Sequence, residues 1–104
     1  DYLIKKQHYS GFFETHLASL LKELGARNLV TVGFDSMICL HGTVIDALYQ
    51  NYRVIVLRDC IGTTEHVETR EGGWMNWVAV RYIETNVGYT STSEDFIRAC
   101  QLAE

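Results

Sequence analysis

Proline is absent from all 104 residues, and cysteine occurs only three times. With no proline, no repeat and no low-complexity stretch, nothing reads as an interdomain linker. Three cysteines, an odd number without metal-type spacing, exclude a disulfide framework and point to reduced thiols in a cytoplasmic compartment. Positive charge is also scarce, and a net charge of −4 with a pI near 5.5 supplies no basic footprint for nucleic acid or an anionic membrane. The expected partners are small molecules and other subunits. No apolar run approaches the ~20 residues that span a bilayer, and no signal peptide is visible. The chain opens on Asp1 rather than Met, which leads us to expect a processed or excised piece.

Hydrophobic residues make up 47% of the chain, ample for the core of a single domain. Residues 28–47 organise it. Leu29, Val30, Val32 and Phe34 form a short apolar run interrupted by Gly33, read as a strand covered on both faces. Ser36 is a good helix N-cap, and Met37, Leu40, Val44, Ala47 and Leu48 then recur at helical spacing. Cys39 therefore falls in the first turn of a helix just beyond a strand's carboxyl end. Unpaired N–H groups and the positive end of the helix dipole favour a thiolate there, and open α/β sheets bind ligands at that edge. The same position also suits a cysteine that is packed as a small hydrophobe.

The rest alternates. Tyr2-Leu3-Ile4 reads as a short strand, and a helix follows from a Thr15 cap through Leu17, Leu20, Leu21 and Leu24 to a stop at Gly25. Arg53–Leu57 is a β-branched strand, and 61–73 is a glycine-containing loop over the strand ends. A helix runs from Trp74 to Asn86, a short strand spans Tyr89–Ser91, and a helix from Glu94 to Leu102 closes the chain. Strands alternating with helices, without hairpin signals, imply right-handed crossovers and an α/β fold with a mostly parallel sheet.

Three stretches resemble the cysteine hydrolases of the isochorismatase-like superfamily. Lys6-Gln7-His8-Tyr9-Ser10-Gly11-Phe12 is similar to that family's Lys-x-x-x-Ser-(Ala/Gly)-Phe segment. Gly33-x-x-Ser36-x-x-Cys39-Leu40-x-x-Thr43-x-x-Asp46-Ala47 is similar to its Gly-x-x-Thr-x-x-Cys-Val-x-x-Thr-x-x-Asp-Ala segment, and Tyr52-x-Val54-x-Val56-x-x-Asp59 to the strand after it. Tyr9–Phe13 and Ile83-Glu84-Thr85 look closest to the ureide-cleaving members, of the ureidoacrylate and biuret types. The resemblance implies a three-layer α-β-α domain, of which this chain is the C-terminal portion. It also implies a Cys–Lys–Asp triad, with Cys39 and Lys6 in the first two places and the Asp upstream of this chain.

On that resemblance Cys39 attacks a carbonyl carbon bonded to nitrogen, and a thioester is hydrolysed afterwards. Lys6 orients the Asp and favours the thiolate. The resemblance further implies a cis Phe34–Asp35 bond beside an oxyanion hole that includes the Cys39 N–H. Oxyanion and substrate contacts are assigned to Phe34, Asp35, Ser36, Tyr9 and Trp74. Asp35 stands where the family has a small or hydroxylated residue, so it either meets substrate nitrogen or caps the helix. Trp74 and Trp77 either close over substrate, meet another subunit or fill core. Thr43 and Asp46 are read as packing and hydrogen-bonding residues. His8, His16, His41 and His66 share no ligand spacing, so neither metal nor cofactor is expected. Cys60 lacks a helix N-terminus, and Cys100 reads as packed in the last helix. The expected assembly is a homo-oligomer, or association with the segment that carries the Asp. Two other readings remain, a hydrolase of another small molecule on the same fold and a non-catalytic assembly subunit.

Overall fold

A computed structural model describes residues 1–103. Leucines at helical spacing form α1, Leu17–Glu23, with Leu17, Ala18 and Leu21 packed against the core. His16 occupies the cap position; Thr15, the expected cap, accepts the Leu17 N–H through its hydroxyl at 3.2 Å. The helix stops where the Gly25 N–H reaches the Lys22 carbonyl at 3.1 Å and the Ala26 N–H reaches that of Leu21 at 3.0 Å, a Schellman ending. There follow β1 (Asn28–Phe34), α2 (Cys39–Tyr49), β2 (Arg53–Gly62), α3 (Trp74–Asn86), β3 (Tyr89–Ser91) and α4 (Ser93–Leu102).

The strands form one parallel sheet in the order β1-β2-β3. Both crossovers step the same way across it, so the right-handed rule puts α2 and α3 on one face. The core follows from that: Leu40, Val44 and Ala47 of α2 meet Val54 and Val56 of β2, with Ile83 of α3, Val87 and Phe12 completing the cluster. Val54 and Val56 are two residues apart and so share a sheet face. Phe12 stacks on Tyr52 with ring centroids 6.4 Å apart, which ties the opening segment to this core.

The structure corrects several expectations from the sequence. β1 is covered on one face only: Leu29 packs against the core, whereas Val30, Val32 and Phe34 are 40%, 54% and 67% exposed. Its apolar run cannot distinguish one covered face from two, and α4, the last helix, lies against β2. Residues 2–4 form no strand, since no partner strand adjoins them, and Tyr2 and Leu3 are exposed. Trp74 and Trp77 do not fill the core; Ala79, Val80 and Ile83 form the buried side of α3. Cys100 is exposed rather than packed. β2 runs on past residue 57 to Gly62, because after a register shift its pairing with β1 resumes at Gly33↔Ile61 and Phe34↔Gly62. Gly33 sits at that break with φ +117°, a conformation that side chains disfavour. No helix among the described residues is long and apolar enough to cross a membrane.

Candidate active site

The stretch between β1 and α2 is built from backbone. The Phe34–Asp35 peptide is cis. The Asp35 carbonyl then accepts the N–H groups of Ile38 at 3.1 Å and Leu40 at 2.9 Å, closing a turn around residue 39. The Ser36 N–H donates to the Gly62 carbonyl at 2.7 Å, and the Met37 N–H to Asp35 Oδ1 at 2.9 Å. Thus the N–H groups of Ser36, Met37, Ile38 and Leu40 are all engaged. Among the described residues no such bond takes the N–H of Cys39, the first residue of α2. A half-buried thiol therefore sits beside an unspent donor at a helix N-terminus, the pairing that a nucleophile and a developing oxyanion require.

Each assigned residue can be placed against that turn. Phe34 is exposed at its entrance. Asp35 acts within the loop: besides the Met37 bond, its Oδ2 accepts the Thr64 N–H at 3.5 Å. Burial opposes its charge, but the Thr63 hydroxyl and the N–H groups of Met37 and Thr64 outweigh it and hold the carboxyl below its ordinary value. Ser36 does not cap α2, whose cap position is Ile38. It is fully buried, and its hydroxyl donates to Asn76 Oδ1 of α3 at 2.6 Å.

The opening segment is fastened to α2 by Thr43. Its hydroxyl donates to the Cys39 carbonyl at 2.8 Å and accepts the Gly11 N–H at 2.9 Å, so one side chain links the first turn of α2 to the segment behind Lys6. Lys6 itself is exposed, and its ammonium donates to the His8 carbonyl at 3.0 Å rather than to the thiol. Tyr9 lines a shallow depression of about 430 Å³ with His8, His41 and Asp46, on a flank of α2 that does not include Cys39. Trp74 is exposed at the end of α3 that meets Ser36, its ring centroid 6.3 Å from that of Trp77. Arg81 in turn lies 5.7 Å over the Trp77 ring. Among the described residues no three His, Cys, Asp or Glu side chains gather as a metal ion needs.

Sequence reasoning missed two carboxylates. Glu65 caps α3 from ten residues upstream of Met75, with Oε1 accepting the Asn76 N–H at 2.9 Å and Oε2 the Met75 N–H at 3.0 Å and the Thr69 hydroxyl at 2.8 Å. Asp59 receives the Ser93 N–H at 2.8 Å and the Ser93 hydroxyl at 2.5 Å, seating α4 on β2. Nothing local marks Glu65, since its partners lie across a loop. Asp59 was visible only as the last residue of the third resembling stretch.

Glu65 also makes a pH prediction. Burial disfavours its charge, yet the Asn76 N–H, the Thr69 hydroxyl, the Met75 N–H and nearby His66 together depress its pKa below the ordinary 4.5. A carboxyl depressed in the fold binds its proton first in the unfolded chain, so its stabilisation is present above 4.5 and disappears as pH falls through the folded value. The denaturation midpoints of the parent protein and Glu65→Gln are expected to differ at neutral pH and to converge on acidification. A gap that stays constant with pH contradicts the assigned cap.

Residues 1–94 match the family model described as Isochorismatase domain. The ureidoacrylate amidohydrolase RutB of Acinetobacter baylyi is 34% identical over 101 residues, covering 97% of this chain and 39% of that protein. Its counterpart in Variovorax paradoxus is 34% identical over 95% of this chain and 37% of that protein. A cysteine hydrolase from Pseudomonas syringae pv. phaseolicola superposes with TM-score 0.91 at 23% identity, over 100% of this chain and 51% of that one, a likeness of fold. N-carbamoylsarcosine amidase from Thermoplasma acidophilum does so with TM-score 0.74 at 33% identity, over 89% and 49%. The chain spans about two-fifths of the length of the curated relatives it matches.

Proposed function

The chain belongs to the isochorismatase-domain family, and we propose from that premise that the complete protein is a cysteine-dependent amidohydrolase acting on a small ureide or carbamoyl amide. The Cys39 sulfur forms a bond to the carbonyl carbon, the C–N bond breaks, and the amine or ammonia leaves with a proton. Water then cleaves the thioester and returns the thiol. The Cys39 N–H receives the negative charge that develops on the carbonyl oxygen. Lys6 works with an Asp that lies outside these residues, holding it ionised and oriented while it accepts the thiol proton and later activates water. Phe34 and Trp74 shape the substrate's surroundings, whereas Tyr9 stands on the flank of α2 away from Cys39.

The single observation that carries this reading is the half-buried Cys39 at the first position of α2 with its N–H unspent. The relatives named for ureidoacrylate and N-carbamoylsarcosine support the substrate class. On this reading, residues 1–104 are the C-terminal portion of one domain. The bare face of β1, where Val30 and Val32 are exposed, is covered by the rest of that domain or by a second copy in a homo-oligomer. Three unbridged thiols are in keeping with a cytoplasmic setting.

Selective alkylation tests the proposal. Iodoacetamide is expected to abolish ammonia release from ureidoacrylate by the complete protein in step with labelling of the Cys39 peptide, and substrate is expected to slow that labelling. Full turnover after complete labelling of Cys39 overturns it.

A further inference from the structure

We propose that Asn76 is a positioning residue for Cys39, acting through the buried hydroxyl of Ser36 and seated by Glu65. The inference rests on the assignment of Cys39 as nucleophile and goes beyond it, because Asn76 belongs to α3 and its hydrogen bonds go to Ser36 and Glu65 rather than to the thiol or the Cys39 N–H.

Residue 36 is gripped twice from outside its own turn: its N–H by the Gly62 carbonyl of β2 at 2.7 Å, and its hydroxyl by Asn76 Oδ1 at 2.6 Å. One residue earlier, the Asp35 carbonyl holds the N–H groups of Ile38 and Leu40, on either side of Cys39. A displacement of residue 36 is therefore passed through Asp35 to the N–H and sulfur of Cys39. Asn76 is itself held, its N–H on Glu65 Oε1 at 2.9 Å, while Oε2 takes the Met75 N–H and the Thr69 hydroxyl. Three elements thus converge on the turn that presents the thiol.

A stabilising role alone does not require this chemistry. Ser36 is fully buried, and a pair of apolar side chains of matching shape would serve stability as well as a hydroxyl and an amide. What the polar pair adds is direction: a single O–H donor aimed at one fixed acceptor defines where residue 36 stands.

The test uses the complete protein with Asn76→Ala, Ser36→Ala and the double variant, all measured at a temperature where each is folded. For ureidoacrylate, each single change is expected to lower kcat about 10- to 100-fold while KM stays within about threefold, the signature of a misplaced reacting group. The double variant is expected to be no slower than the worse single one, because both changes break one bond. A second readout needs no substrate: the rate of Cys39 alkylation by iodoacetamide, relative to exposed Cys60 in the same sample, is expected to fall at least about threefold. Unchanged kcat and an unchanged labelling ratio in folded variants overturn the proposal, as do independent, multiplying losses in the double variant. Ser36→Ala deletes one oxygen and carries the test if Asn76→Ala does not fold. A Cys39→Ala protein that keeps turning over overturns the nucleophile assignment instead, so the two failures are separable.

Discussion

Cys39→Ala is expected to lower kcat by more than about 10³-fold in the complete protein, while Cys60→Ala and Cys100→Ala stay within about threefold of the parent. All three thiols are free, so chemical availability does not separate them. Position does. Cys60 lies within β2, where backbone N–H groups serve the sheet, and Cys100 lies near the end of α4, where a helix presents carbonyls rather than N–H groups. Only Cys39 stands at a helix start with an uncommitted N–H. Cys39→Ser keeps the shape but substitutes a hydroxyl that ionises far less readily, so it is expected to fall with the alanine variant. Ammonia release under substrate saturation measures each, and loss of activity on changing Cys60 rather than Cys39 contradicts the assignment.

Gly88→Ala is expected to be the most damaging single-methyl change in the chain, costing about 3 kcal/mol of stability. Gly88 lies between the end of α3 and β3, where the chain passes against β2. A Cβ built there would come within 2.3 Å of the Val54 carbonyl oxygen and 3.2 Å of its carbonyl carbon. Those atoms are backbone in the middle of the sheet and cannot rotate away. Val54 is fully buried, and its neighbour Ile55 is paired with Tyr89, so relief requires β3 to separate from β2. Alanine at Gly25 meets no atom within 4 Å and differs only in its backbone preference, which makes it the control for the close approach. Equilibrium denaturation of the complete protein compares them. Equal losses at the two positions contradict the packing argument.

Much of this architecture was legible in the residues because its signals are local. The β-branched run at 53–57, the helical recurrence of Leu40, Val44 and Ala47, and Glu94 and Asp95 at the start of α4 each reflect neighbours along the chain. The alternation of strands and helices gave the parallel sheet. Where the sequence misled, the deciding contact lay far away. Ser36 has every local attribute of an N-cap, yet its hydroxyl is claimed by Asn76, forty residues on. Val30 and Val32 have the composition of a strand buried on both faces, and composition carries no information about what covers the second. Trp74 and Trp77 obey helical spacing, but the small and β-branched Ala79, Val80 and Ile83 fit the interior of α3 instead. Of the candidate site, backbone placement was legible. The place of Cys39 follows from a strand, a glycine and a helix in sequence, and the cis Phe34–Asp35 bond follows from the resemblance. The Glu65–Asn76–Ser36 connection joins three elements and has no local signature.

The most direct test follows the thiol through the first turnovers. The complete protein is mixed with excess ureidoacrylate, quenched in acid within the first turnovers, digested and read by mass spectrometry. The account predicts a transient acyl adduct on the peptide that contains Cys39, absent from Cys39→Ala and from the peptides of Cys60 and Cys100. Steady turnover with the adduct on another residue, or undiminished turnover in Cys39→Ala, would contradict it.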